Sequence, residues 1–149
     1  MISLNLPKYD FSIRRQGKQF EIFDAIRNKY VAMTPEEWVR QNFLQYLIRE
    51  KQFPKTLLSI ERQLSLYQMS VRPDIVVYNN QGKPRLIVEC KAPDVKISQQ
   101  TFNQIAKYNI TLRVDYLIVT NGMNHYCCLI DHQKKTYSFL QEIPEYSKL

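Results

Sequence analysis

Asp74, Glu89 and Lys91 are the residues of this sequence whose types and spacing could do chemistry. They interrupt two apolar runs, Arg72-Pro73-Asp74-Ile75-Val76-Val77-Tyr78 and Arg85-Leu86-Ile87-Val88-Glu89-Cys90-Lys91-Ala92-Pro93. Each run has the length of a strand, and Asn79-Asn80-Gln81-Gly82-Lys83-Pro84 between them supplies turn chemistry. Charges inside apolar strands are costly, so these three call for an explanation. Side chains alternate along a strand, so Glu89 and Lys91 share a face, roughly 7 Å apart, while Leu86, Val88 and Cys90 point into the core. If Asp74 faces the same side, two carboxylates and an ammonium converge. Such a set suits a hard divalent cation, which takes oxygen ligands and keeps several waters. The cation can activate water and stabilise the charge of an attacked phosphate. The lysine can orient the water or neutralise developing charge.

The structural alternative is an ion-pair network among Asp74, Glu89, Lys91 and Arg72. An acid-x-Lys triplet alone says little, since about one match is expected by chance in a chain of this composition. Asp94-Val95-Lys96 is a second match, but it follows Pro93 in an expected loop. Glu89-Cys90-Lys91 differs in standing at a strand end, with Pro73-Asp74 opening the strand before it.

Other elements must position this cluster. Phe11–Arg14 and Gln19–Asp24 alternate like strands around a basic turn, which predicts a hairpin. Thr34-Pro35-Glu36-Glu37 opens a helix through Ile48, with Thr34 as cap, Pro35 in the first position and Glu37 at capping-box spacing. Val39, Phe43, Leu44, Leu47 and Ile48 form its apolar stripe, and Pro54 forbids its continuation. Leu57–Tyr67 reads as extended with one wet face, giving a meander with the two strands of the cluster. Ser98 caps a second helix to about Tyr108, with Phe102, Ile105 and Ala106 inward. Asp115–Thr120 is apolar enough to be buried on both faces. His125–Ile130 and Lys135–Leu140 complete the strands, and the tail from Pro144 is expected to be loosely held. Gly17, Gly82 and Gly122 all fall at turns.

The fold expected is therefore α/β, a central mixed β-sheet flanked by helices in the order α-β-β-β-α-β, with an N-terminal hairpin. One domain is expected over residues 1–149, comprising an extension at 1–33, a core at 34–130, and a C-terminal strand and tail at 131–149.

The residues now reach a known family. Pro73-Asp74, then 75–88, then Glu89-Cys90-Lys91 resembles the PD-(D/E)xK nuclease motif. Gln104-x-x-x-Tyr108 resembles the Gln-x-x-x-Tyr motif of RecB-like members, and Glu36-Glu37-x-x-Arg40-Gln41 resembles the acidic helix start of many others. The nearest likeness is to the nuclease-like N-terminal domain of type I restriction enzyme R subunits, over roughly residues 34–130. The resemblance implies a restriction-endonuclease-like core and a Mg²⁺-dependent DNA endonuclease, with Mn²⁺ as a substitute. It implies Asp74, Glu89 and the Cys90 backbone carbonyl as metal ligands, and Lys91 as the residue assisting the attacking water. Glu36 or Glu37 would contact a metal-bound water. Glu36 is favoured because helical spacing groups it with Arg40, Phe43 and Leu47, whereas Glu37 can serve the capping box. Gln104 and Tyr108 share a helix face and would reach the active site or a DNA phosphate. DNA is the implied partner, with a homodimer or restriction–modification subunits as protein partners. The alternative is a DNA-binding or scaffold module that keeps the nuclease fold and cuts nothing alone.

Bulk properties agree with this class. A net charge of +7 favours an anionic partner. Lys83, Arg85, Lys96, Lys107 and Arg113 could line a phosphate track, and Trp38 and the tyrosines could stack on bases. No apolar run is long enough to span a bilayer, and the N-terminus lacks signal-peptide character, so a cytoplasmic location follows by default. The cysteines, Cys90, Cys127 and Cys128, lack disulfide-framework and zinc spacing, and His125 and His132 read as structural. No Gly-rich phosphate loop occurs, so no nucleotide cofactor is expected, and the ATP-driven motor of an R subunit has no counterpart in this sequence.

Overall fold

The computed structural model describes residues 1–149 apart from 62, 63, 67 and 68, and for 64–66, 69–71 and 107–112 it describes the backbone alone. In chain order the strands are β1 (Ile13–Gln16), β2 (Gln19–Asp24), β3 (Lys29–Ala32), β4 (Leu58–Ile60), β5 (Leu64–Leu66), β6 (Met69–Val71), β7 (Ile75–Tyr78), β8 (Pro84–Cys90), β9 (Tyr116–Thr120), β10 (His125–Asp131) and β11 (Thr136–Leu140). The helices are α1 (Pro35–Glu50), after β3, and α2 (Gln99–Leu112), after β8.

Six strands form the central sheet in the order β11-β10-β9-β8-β7-β4. β8 and β9 run parallel in its middle, with α2 as their crossover, and the other neighbours are antiparallel, so the sheet is mixed as expected. Parallel central strands must be covered on both faces. On one face, Val39, Phe43, Leu44 and Leu47 of α1 pack on Ile75, Val77, Leu86, Val88 and Ile118. On the other, Phe102 and Ala106 of α2 pack on Val76, Ile87, Leu117 and Val119. Full burial of one such Phe or Leu stabilises the fold by roughly 1.5–3 kcal/mol. Among the described residues no helix is long and apolar enough to cross a membrane.

Local signals explain the ends of α1. Thr34 accepts a hydrogen bond from the Glu37 N–H at 3.1 Å, and Pro35 opens the first turn. The expected capping box is half formed, because the Glu37 carboxylate turns to Arg27 instead. The run expected as one strand over 57–67 is broken. β4 joins the central sheet, Glu61 adopts a left-handed φ of 52°, and β5 pairs with β6 in a separate hairpin. The polar Glu61 marks the break.

The N-terminal hairpin gains a third strand, β3, paired to β2. Its Tyr30 and Val31 are only half-buried, so its apolar signal is faint. The tail expected to be loose is docked: the Tyr146 N–H donates to the Lys51 carbonyl at 3.0 Å, and the Tyr146 ring packs edge-on to Phe53.

Candidate active site

The site lies where β8 and β9 end and β7 begins. The antiparallel register that faces Ile75 with Val88 brings Asp74, the residue before β7, against the end of β8. There the Asp74 Oδ2 accepts the Cys90 N–H at 2.7 Å. Alternation puts Glu89 on the same face as Ile87, under α2, and its carboxyl shares a hydrogen bond with that of Asp74. Lys91 follows at the strand end, its N–H donating to the Thr120 carbonyl at 2.8 Å. The Cys90 side chain faces the opposite core and is buried, which leaves its backbone as its part in the site.

The electrostatics follow from crowding. Burial raises the Asp74 carboxyl above its ordinary value, against the Cys90 N–H, Arg40, the Glu89 hydrogen bond and Lys91. Burial and then the Asp74 charge push Glu89 up to about 8, with Lys91 pulling the other way. Glu36 stands 48% exposed at the start of α1. Its carboxyl is raised by burial and the Asp74 charge, while Arg40 and Lys91 oppose the rise. Asp74, Glu89, Lys91 and Glu36 are thus brought within electrostatic reach of one another.

Behind them lies a charge network whose roles the sequence did not announce. Arg40 is 4% exposed. Its guanidinium lies 3.2 Å from Asp74 Oδ1, 2.9 Å from Glu61 Oε1, 3.5 Å from Glu37 Oε2 and 3.9 Å from Glu36 Oε1. Arg27, in the turn between β2 and β3, reaches Glu37 at 2.7 Å and Glu61 at 3.5 Å, and donates to Asp24 at 2.6 Å. Asp24, fully buried, also accepts the Ile26 and Arg27 N–H groups and the Gln41 amide. Burial alone would raise the Asp24 carboxyl, but these hydrogen bonds hold it below its ordinary value. The spacing of Glu36 and Glu37 to Arg40, three and four positions apart, was the one local signal for this network. Glu61 carried none, since it read as part of a wet strand face.

Other expected residues fall elsewhere. Gln104 is exposed on α2, about 200° round the helix from the buried Phe102, outside the group around Asp74. The side chains of Tyr108 and Lys107 lie outside the described residues. The phosphate track divides. Lys96 lies in the loop after β8, but Arg85 opens β8 at the far end of the sheet and pairs with Asp115 at 2.7 Å. Lys83 and Arg113 adjoin that same far end. His125 and His132 are held structurally: His125 Nδ1 meets the Thr120 hydroxyl at 2.7 Å, and His132 Nε2 meets the Val114 carbonyl at 2.8 Å.

The donor set fits a hard divalent cation. Among the described residues, Asp24, Glu36, Glu37, Glu61, Asp74 and Glu89 face Arg27, Arg40, Arg72 and Lys91, so carboxylates outnumber cations. Two carboxyls pressed together until one retains a proton mark unmet positive-charge demand. No group of three or more His, Cys, Asp or Glu side chains is placed to hold a metal among the described residues. Two carboxylates completed by water are nevertheless a common magnesium arrangement.

Comparison with known proteins adds a family. Residues 35–144 match the family model described as the type I restriction enzyme R protein N terminus. A fragment of a candidate HsdR subunit of a type I restriction enzyme from Vibrio vulnificus YJ016 is similar over 70% of this chain, at 17% identity and a TM-score of 0.46. The match spans only 23% of that chain's length. A candidate nuclease of Anabaena variabilis belonging to DUF820 is similar over 91% of this chain and 88% of its own, at 12% identity and a TM-score of 0.50, a likeness of fold. No curated protein matches the sequence significantly.

Proposed function

The chain belongs to the family of type I restriction enzyme R protein N termini, and we propose that its Asp74, Glu89 and Lys91 cluster hydrolyses phosphodiester bonds of DNA with a divalent cation, Mg²⁺ or Mn²⁺. The observation that carries this reading is the contact between the half-buried carboxyls of Asp74 and Glu89, with Lys91 beside them at the end of β8. Asp74, Glu89 and the Cys90 carbonyl would hold the cation. When bound, it supplies charge stabilisation to the attacked phosphate and lowers the pKa of water.

The protein groups divide the remaining work. Lys91 orients the attacking water and offsets negative charge growing on the phosphate. Glu36, on the neighbouring helix, accepts a hydrogen bond from site water. Arg40 holds Asp74 in place through Oδ1, and the Cys90 N–H holds it through Oδ2. The positive net charge of the chain draws DNA towards the site. Restriction–modification subunits are the proposed protein partners, and Gln104 and Tyr108 are proposed to meet DNA outside the cluster.

The test is cleavage of plasmid DNA by purified protein with Mg²⁺ or Mn²⁺. Asp74→Ala and Glu89→Ala each abolish cutting while the melting transition remains cooperative. Cutting that survives both substitutions removes the assignment. One observation favours a second reading, a DNA-binding module that does not cut. Both oxygens of Asp74 already hold protein donors, which competes with a metal. That reading expects salt-sensitive DNA retention without cleavage under either metal.

A further inference from the structure

On the α2 side of the central sheet, a row of the register leads from the candidate site to a group of partly exposed aromatics. Glu89 pairs with Val119, and Val119 pairs with Tyr126. All three lie on the same face, since Val119 packs under α2 and the Tyr126 ring meets Phe102 of α2. Two strand spacings separate Glu89 from Tyr126, roughly 10 Å. Phe139 of β11 stands beside Tyr126, ring centroids 6.3 Å apart and planes inclined at 69°. The two rings form a corner instead of a stack, and their side chains remain 37% and 48% exposed. Phe102 supports both from below, 4.7 Å from the Phe139 centroid and 6.2 Å from that of Tyr126.

This corner closes into a small cleft. Ile97, Ser98, Gln99, Phe102, Tyr126 and Phe139 line an open cleft of about 70 Å³. That is far below the roughly 300–1,000 Å³ of pockets that enclose drug-sized ligands, so a flat ring would lie against the exposed aromatic faces at the cleft mouth and not be enclosed. Its polar rim is specific. Gln99 gives its amide nitrogen to Asn103 and Tyr137, which leaves its amide oxygen as an acceptor for an exocyclic amine. Lys96, exposed just before the cleft in the loop that joins it to the site, supplies positive charge for a backbone phosphate.

We infer that this cleft is a stacking subsite for one unpaired nucleobase of the DNA strand whose phosphate enters the Asp74–Glu89 cluster. The inference rests on the proposed nuclease reading and sharpens its substrate to DNA with a frayed, flapped or single-stranded segment beside the scissile bond. Stacking on an aromatic face is sequence-tolerant, because every base has such a face. A paired base in intact duplex cannot present its face to the cleft. At 3.4 Å per stacked nucleotide, the captured base lies within about three nucleotides of the phosphate at the site.

Binding without metal separates this subsite from catalysis. Short single-stranded oligonucleotides carrying 2-aminopurine, and a duplex of equal length, are titrated with the whole chain in EDTA at fixed salt. The expected result is fluorescence quenching with the single strand, and a roughly 10- to 100-fold weaker single-strand affinity in Phe139→Ala. Duplex affinity stays unchanged, and Phe139→Tyr restores the single-strand binding. Phe139 is 48% exposed, so Phe139→Ala is expected to keep the fold, and a melting curve of each variant checks this. Equal weakening for both DNA forms, or none for either, overturns the subsite even if Asp74→Ala abolishes cutting. Quenching lost in Phe139→Ala, in a protein that cuts nothing under any metal, keeps the subsite and removes the nuclease reading.

Discussion

Arg40 Nη2 lies 3.2 Å from Asp74 Oδ1, and that contact joins the candidate site to the N-terminal sheet. Through Glu37 and Glu61 the same guanidinium is linked to Arg27 and the buried Asp24. The site carboxylate is thus fixed by a network drawn from the turn after β2, from α1 and from the end of β4.

Removal of the buried Arg40 breaks its pair with Asp74 and leaves Glu37 and Glu61 to Arg27. Breaking such a pair costs roughly 3–5 kcal/mol, so Arg40→Ala is expected to lower unfolding stability by about that much in urea at neutral pH. Arg40→Lys keeps the charge, but a single ammonium cannot span Glu37, Glu61 and Asp74 together. An intermediate loss is expected for it. A loss under about 1 kcal/mol in Arg40→Ala would show that these contacts do not hold the fold.

What the sequence disclosed and what it hid divide along the range of the signal. Glu89 and Lys91 were legible because alternation along one strand is local, and Thr34 because an N-cap acts within one turn. Asp74 needed only the neighbouring strand of a short connection. Glu61 and Arg27 were not legible, because their meeting depends on β4 entering the central sheet and the β2–β3 turn folding over α1. The phosphate track failed for the same reason. Lys83, Arg85 and Arg113 are near Lys96 in sequence, but the parallel β8–β9 pair carries them to the opposite end of the sheet.

His125 gives a pH dependence of definite sign. Its Nε2 lies 2.9 Å from the Asn5 carbonyl and its Nδ1 lies 2.7 Å from the Thr120 hydroxyl, which itself accepts the Gly122 N–H. This suits a neutral ring that donates to Asn5 and accepts from Thr120. Burial lowers its pKa from 6.5, with the Asn5 hydrogen bond opposing. The unfolded chain therefore binds the proton first as pH falls, and stability declines below 6.5 towards the folded value. Urea midpoints measured between pH 7 and 5 are expected to fall for wild type and to fall less for His125→Gln. Identical slopes for the two proteins would remove His125 as the cause.

Gly122 is the pivot on which the N-terminal segment rests. Its φ is +84°, and an added Cβ would stand 2.7 Å from Leu4 Cδ2 and 3.2 Å from Val39 Cγ2. Its carbonyl accepts the Asn5 N–H at 2.9 Å. Gly122→Ala combines backbone strain with a clash that Leu4 can relieve only by moving off Val39. A loss of roughly 1–3 kcal/mol is expected, with faster hydrogen exchange at the Asn5 amide. Exchange at Asn5 unchanged in a destabilised variant would mean that the strain is absorbed within the turn.

Metal binding should be visible as stability even before any substrate is known. A ligand held by the folded state alone stabilises it by RT ln(1 + [L]/Kd), about 2.7 kcal/mol at a hundred times Kd. For a chain of this size that corresponds to a rise in melting temperature of roughly 5–10 °C. Mn²⁺ titrated against the purified protein is expected to give such a rise, growing with the logarithm of free Mn²⁺ above Kd. Glu89→Gln keeps a hydrogen bond to Asp74 and, unlike a carboxyl pushed up to about 8, needs no proton taken up on folding, so its metal-free midpoint is expected to match or exceed wild type. The same substitution removes a ligand, so the Mn²⁺-dependent rise is expected to vanish. The two effects run in opposite directions. A variant that is simply misfolded cannot reproduce them, and a structural ion-pair cluster gives no metal response in either protein. A full Mn²⁺ shift in Glu89→Gln would place the cation elsewhere on the chain and leave Asp74 and Glu89 as a structural pair.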